Sequence, residues 1–374
     1  MRMLANIYRL GVKELWSLWS DRMMLVLIVF TFTLSVYSSA SSSPPTLNNA
    51  PIAIVDEDHS QLSQRIASAF YPPKFKSPAL ITHAEVDKGM DKGAYTFVVN
   101  IPVNFQRDVL ARRSAEIQLN TDATRMSQAF LGSGYIQQMV MGEISEFVNR
   151  YRGQVVPAID LEQRALFNPS LDKSWFDSLS QIVNQITMIS IILTGAALIR
   201  EREHGTIEHL LVMPVTPIEI MLAKIWSMGL VVLVASILSL NLVVRGLLNV
   251  PVQGSLTLFF TGTALHLFAT TSMGIFMATV ARNMPQFGML VVLTLLPLQM
   301  LSGGNSPRES MPELLQNIML VAPTTHFVEL GQSVLFRGAG IEVVWVQLLA
   351  LAVIGATLFS LSLMRFRKTI SQMA

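Results

Sequence analysis

The 374-residue chain is 51% hydrophobic and only 14% charged, with a mean hydropathy of +0.47 and a net charge of +2. Soluble domains carry about 25% charged residues, so this balance points to a chain that lives in lipid, and the near-neutral charge predicts no nucleic-acid surface. Cysteine is absent, which excludes a disulfide framework, a thiol nucleophile and a thiolate metal site.

In chain order, Met1–Arg22 comes first and is amphipathic. Leu4, Ile7, Leu10, Leu15, Leu18 and Trp19 fall near helical spacing, with Arg2, Arg9, Lys13 and Arg22 between them. Trp16 and Trp19 suit the head-group level, so the pattern predicts an interfacial helix on the cytosolic face. The competing reading is the long charged start of a signal peptide, with Ser38-Ser39-Ala40 as its cleavage site. The first span is expected over residues 23–40.

Residues 41–174 change character. Ser41 to Pro45 reads as a linker. Strands are expected at Pro51-IAIVDEDHS, Ala94-YTFVVNIP and Ala115-EIQLNTD, and helices at Gln61–Phe70, Asn104–Arg112 and Ser127–Tyr151. Strands alternating with helices predict a small α/β domain between spans one and two, outside the cytoplasm. Asp56-Glu57-Asp58-His59 has the residue types of a metal site. Four consecutive residues cannot all face one ion, and acidic residues are ordinary before a helix, so the turn-and-cap reading is preferred.

Residues 175–374 hold five further apolar runs. The second span, expected over residues 175–199, carries Asp177, Gln181, Asn184 and Gln185 on one helical face. Polar groups at membrane depth turn inward, so this stripe is a candidate substrate path; ordinary interhelical hydrogen bonding is the alternative. The third span runs to about Leu248, the fourth over residues 256–281 with His266 inside it, and the fifth over residues 286–301. Gly303-Gly304 and Pro323 then set apart two short apolar pieces, Met311–Val321 and Thr325–Phe336. Such a pair predicts a re-entrant segment. The last span is expected over residues 341–364.

Between spans two and three lies REREHGTIEHLLVMPVTPIEIMLAK, Arg200 to Lys224. Gly205 can end one helix. Thr206 can cap a short one, Ile207–Val212, which Pro214 stops. Thr216-Pro217-Ile218-Glu219 is a capping box with Pro at the first helical position, so it starts the next span. Lys and Arg concentrate in the amino-terminal segment, this loop, the turn at Arg282 and the tail Arg365, Arg367, Lys368. That bias puts both termini and the loop in the cytosol.

The loop resembles the signature of ABC-2 type transporter permeases. The resemblance rests on Glu201-Arg202-Glu203, Gly205-Thr206, Glu208, Leu210-Leu211, Pro214, Glu219 and Lys224, with Ala223 where the family has Gly. A second stretch, Leu301–Gly340, is similar to the family's segment before the last span through Ser302-Gly303, Pro307, Met311-Pro312, Pro323, Thr325-His326-Phe327 and Gly338. What the resemblance implies is a polytopic α-helical membrane protein with six spans, the permease subunit of an exporter in a bacterial inner membrane. A separate ABC ATPase would grip the loop at Glu201, Glu203, Gly205, Thr206, Glu208, His209, Pro214 and Glu219. A second permease copy or a paralogue would complete the path, and a periplasmic adaptor is a further candidate partner.

No G-x-x-x-x-G-K-[ST] occurs, so this chain is not expected to hydrolyse ATP. No G-x-S-x-G elbow, H-E-x-x-H or Cys/His cluster is present either, and no metal or cofactor is called for. The reading from a different class is a membrane-anchored extracytoplasmic binding or assembly protein whose spans are only anchors.

Overall fold

A computed structural model describes residues 2–42, 47, 49–152, 167, 173–205, 215–304 and 308–371. The chain divides into two compact units, Met1–Ser43 with Ala165–Ala374, and Pro44–Arg164.

The smaller unit is built on a four-stranded sheet of order β2-β1-β3-β4, with β1 at Ile52–Asp56, β2 at Ala79–Leu80, β3 at Phe97–Ile101 and β4 at Gln118–Thr121. β1 pairs parallel with both β2 and β3, and β4 runs antiparallel to β3. IAIVD and FVVNI are near-continuous apolar runs, as strands covered on both faces must be. One face packs Ile52, Ile54, Phe97 and Val99 against Leu62, Ile66, Ile136 and Phe147; the other packs Ala53, Val55 and Val98 against Val86. β2 and the short helix Val86–Asp91 are additions to the elements expected from the sequence.

The acidic turn after β1 is organised as a cap. Asp56 Oδ1 accepts from the amides of Asp58 and His59, and Asp56 Oδ2 accepts from Ser63 Oγ at 2.8 Å. Ser60 and Ser63 form the capping box of helix Gln61–Ala69. Asp58 Oδ2 accepts from the Gln106 amide at 3.0 Å, at the start of another helix. Asp58 thus satisfies a helix-end N–H group, while Asp56 holds the turn and orients the capping-box Ser63.

The larger unit contains six helices long and apolar enough to cross a membrane: Arg22–Ser41, Trp175–Glu203, Pro217–Leu247, Leu256–Val280, Met284–Leu301 and Ile341–Thr369, spans 1 to 6. Before them comes the amino-terminal helix, Arg2–Ser20. Span 2 continues as helix four residues past its expected end at Ile199. Nothing breaks it before Gly205, which takes φ +68°. Arg200 to Glu203 therefore sit on the last helical turn, not in a loop. Span 3 starts as its sequence predicts: Thr216 is the cap, Pro217 follows, and the reciprocal Thr216–Glu219 box is formed. The expected short helix Ile207–Val212 lies outside the described residues.

Span 2 is the most enclosed, with 83% of its apolar window buried, against 17% for spans 5 and 6. It packs on span 4 at close range. A Cβ on Gly274 would lie 2.6 Å from the Ile191 carbonyl oxygen, so only glycine lets the two backbones approach. Ser190 Oγ donates to Thr270 Oγ1 at 2.7 Å, and Thr187 Oγ1 meets His266 Nε2 at 2.8 Å. His266 is fully buried and stacks on Phe327 at 4.0 Å. It is thus a structural core histidine between spans 2 and 4.

Two short helices, Glu313–Met319 and Pro323–Gly331, precede span 6. Pro323 opens the second helix, where its missing N–H costs nothing, and does not only interrupt the chain. Spans 1 and 3 each contain a stretch of π-type turns, Thr31–Ser35 and Ser239–Leu247, which no side-chain period announced. The two stretches meet: Ser239 Oγ donates to the Phe32 carbonyl.

Candidate functional site

The carboxyl end of span 2 reads Arg200-Glu201-Arg202-Glu203. Consecutive helical residues point about 100° apart, at 3.6 residues per turn. Four neighbouring charges on one turn therefore face four directions, and each finds a different element.

Arg200 pairs with Asp21, whose Oδ1 also caps span 1 by accepting from the Met24 amide. Glu201 reaches Lys13 of the amino-terminal helix at 2.6 Å and Lys224 of span 3 at 2.7 Å. Arg202 donates to the carbonyls of Ala278 and Ala281, acceptors without an intrahelical partner at the end of span 4. Glu203 accepts from the Met284 amide at 2.9 Å, at the start of span 5. The last two contacts match charge to helix end: a cation on free carbonyls and an anion on a free N–H.

The Glu201 contact is part of a larger cluster. Lys224 Nζ also lies 3.0 Å from Glu14 Oε1, and Lys13 lies 3.5 Å from Glu14. Two cations and two anions thus form a closed, neutral set. Lys224 is 2% exposed and Glu14 5%, so these charges need one another. Burial pushes the Glu14 carboxyl up from its ordinary value, and Lys224 and Lys13 pull it back. Burial would lower the Lys13 ammonium, but Glu201 and Glu14 beside it raise it overall.

Below the cluster the amino-terminal helix lies against span 3. Trp226 Nε1 donates to the Ile7 carbonyl at 3.1 Å, and its ring stacks on Tyr8. A Cβ on Gly11 would fall 2.1 Å from the Trp226 ring, so glycine is needed there. Asn6 Nδ2 donates to Glu219 Oε1 at 3.1 Å, and the other oxygen of Glu219 closes the Thr216 box. Glu14 is a residue the sequence pattern missed. It falls on the stripe Gly11, Glu14, Leu18, the buried side of its helix, and a carboxylate at a buried-stripe position is itself the signal.

Of the residues expected to contact a partner, Glu201 and Glu219 are turned onto the protein's own helices. Glu203 is exposed and bonds span 5, and Gly205 ends span 2. Thr206, Glu208, His209 and Pro214 lie outside the described residues. The polar stripe of span 2 faces span 1: Gln181 and Gln185 both donate to Ser35 Oγ, at 3.1 and 2.9 Å. Asp177 and Asn184 are half-buried on the same helix. Among the described residues no group of His, Asp and Glu is placed to hold a metal ion.

Residues 16–364 match the model of the family described as ABC-2 family transporter protein. The chain is 63% identical over 374 residues to the inner membrane transport permease YhhJ of Escherichia coli K12, with the whole of both chains covered. It is 29% identical to the probable multidrug ABC transporter permease YbhR of the same organism, over 98% of this chain and all of that one. It is also 29% identical to the probable multidrug ABC transporter permease YbhS, over 90% of this chain and 87% of that one.

If the cluster holds the three helices together, Lys224→Met should leave two buried carboxylates short of a partner. Breaking a buried pair this way costs about 3–5 kcal/mol. The detergent-purified variant is expected to unfold several degrees below wild type. Adding Glu14→Gln should recover part of the loss, because the remaining Lys13–Glu201 pair is balanced. Equal unfolding midpoints for wild type and Lys224→Met would show that the charges are not coupled.

Proposed function

Because the chain belongs to the ABC-2 transporter family and is a membrane permease, we propose that it is the membrane half of an ATP-driven exporter, worked by a separate ABC ATPase. The observation that carries this reading is the last turn of span 2, whose four charged side chains reach four neighbouring contact sets. A force applied just beyond Gly205 enters every one of those elements at once. The ATPase grips residues 206–214. Its nucleotide cycle shifts the populations of inward- and outward-open states by binding one of them better.

The site divides into two halves. Glu201 and Glu219 form the inner half, which passes movement to the amino-terminal helix and span 3. Glu203, Thr206, Glu208, His209 and Pro214 form the contacting half, and Gly205 supplies the turn between them. The stripe Asp177, Gln181, Asn184 and Gln185 belongs to the transport route, closed by the two hydrogen bonds from Gln181 and Gln185 to Ser35.

The proposed setting is a bacterial inner membrane, as the name of the 63%-identical relative says of that protein. Both termini and the segment after Gly205 are assigned to the cytosol, the amino-terminal helix to the cytosolic interface, and the Pro44–Arg164 unit to the opposite side. The two short helices before span 6 form a re-entrant pair. A second copy or a paralogue completes the path, and the outer unit is the surface for an adaptor.

Three outcomes are expected. Glu208→Lys should weaken co-purification with the ATPase and lower export; an unchanged complex with unchanged export argues against this contact. The chain has no cysteine of its own, so a single His204→Cys is a clean probe. In intact cells it should resist a membrane-impermeant maleimide and react once the membrane is opened; labelling of intact cells would turn the topology over. Gln181→Leu and Asn184→Leu should each reduce export at equal protein level, and wild-type export from both would remove the stripe from the route.

A further inference from the structure

A cavity of about 380 Å³ lies at the other end of span 2 from the charge cluster. Its walls are Phe176, the Ser302–Gly304 turn after span 5, the helix Pro323–Gly331 and Arg337. Phe176 and Glu201 stand 25 residues apart on one helix, about 37 Å at 1.5 Å per residue. The hydrocarbon core is about 30 Å thick. With the cluster at one membrane face, the cavity sits at head-group level on the other.

Its chemistry is mixed. Arg308 and Arg337 bring two guanidinium groups, and Glu309 and Glu329 bring two carboxylates. Among the described residues none of the four forms an ion pair. Arg308 Nη2 donates to the Gln316 carbonyl at 3.2 Å, but its Nε–H is buried and has no acceptor among the described residues. Thr325, 2% exposed, also lines the cavity, and its hydroxyl has no partner among the described residues. Buried polar groups without partners are rare in folded proteins, and two on one cavity wall point to a ligand that satisfies them.

We propose that this cavity binds a phosphate carrying an amine. A guanidinium fork beside a hydroxyl donor matches the several oxygens of a phosphate. A simple anion would also meet the Glu309 and Glu329 carboxylates, and a simple cation would meet the two arginines. Only a molecule with both charges is matched by all four. Two sources share this chemistry: an aminophosphate lipid of the facing leaflet, and a soluble amine-bearing phosphate met on the outer side.

The test uses the full chain, purified in detergent and stripped of lipid. It is titrated with short-chain phosphatidylethanolamine, with short-chain phosphatidylglycerol, and with phosphoethanolamine lacking tails. Saturable binding of the ethanolamine lipid is expected, clearly tighter than that of the glycerol lipid. Arg308→Gln and Arg337→Gln should each weaken it about ten-fold, the effect of losing one charge-assisted hydrogen bond. Arg337 is exposed, so Arg337→Gln should keep the wild-type unfolding midpoint and gives a readout even if Arg308→Gln folds poorly. Competition by tail-free phosphoethanolamine at similar concentration identifies a soluble ligand; weak competition identifies a lipid. Equal binding of the two lipids, or wild-type binding by Arg337→Gln, overturns the proposal.

Discussion

The geometry of one helical turn governs the rest of this membrane unit. Spans in lipid gain little from hydrophobic burial against each other, because lipid tails are as apolar as their own side chains. What fixes their ends must therefore be polar, and it must sit where water begins. Arg200 to Glu203 meet that requirement in four consecutive residues. Each contact also answers a local need. Span 4 ends in free carbonyls, and Arg202 fills them; span 5 begins with a free amide, and Glu203 accepts it. The Lys13–Glu14–Glu201–Lys224 set does more than satisfy helix ends. It brings the amphipathic amino-terminal helix into register with spans 2 and 3.

Much of this was legible in the sequence, for reasons that differ by element. The six spans follow from run length alone, because the bilayer sets it. The start of span 3 follows from Thr216-Pro217-Ile218-Glu219, since a capping box is a purely local device. The end of the span 2 helix is legible in Gly205, although the charges of Arg200 to Glu203 look like loop in a membrane protein. Only Gly205, with its positive φ, truly stops the helix. The cluster was half legible. Lys224 is a lone cation in an apolar run, and Glu14 lies on a buried stripe, so each signals a missing partner. Which partner is another matter: Lys13 and Glu201 are 188 residues apart, and no periodicity reaches that far. The π-type turns had no signal at all, since a change from i−4 to i−5 bonding leaves composition untouched.

The distribution of stiffness follows the same logic. Spans 2 and 4 touch backbone to backbone through Gly274 and are joined by Ser190–Thr270 and Thr187–His266. Side chains between them have little room to rearrange, and packed interiors resist gradual deformation. Spans 1 and 3, by contrast, each carry π-type turns, and these meet at the Ser239–Phe32 bond. Sharp bends in helices gather at such turns. A push at the end of span 2 would then move spans 2 and 4 together as a rod, while spans 1 and 3 give way at their shared π level. Ser35, which accepts from Gln181 and Gln185, closes the first of these stretches. The weakest helical geometry and the polar contact between spans 1 and 2 therefore coincide. On the proposed route, a path opened there would need only the two glutamine–Ser35 hydrogen bonds to break and span 1 to bend, with the rod of spans 2 and 4 kept whole.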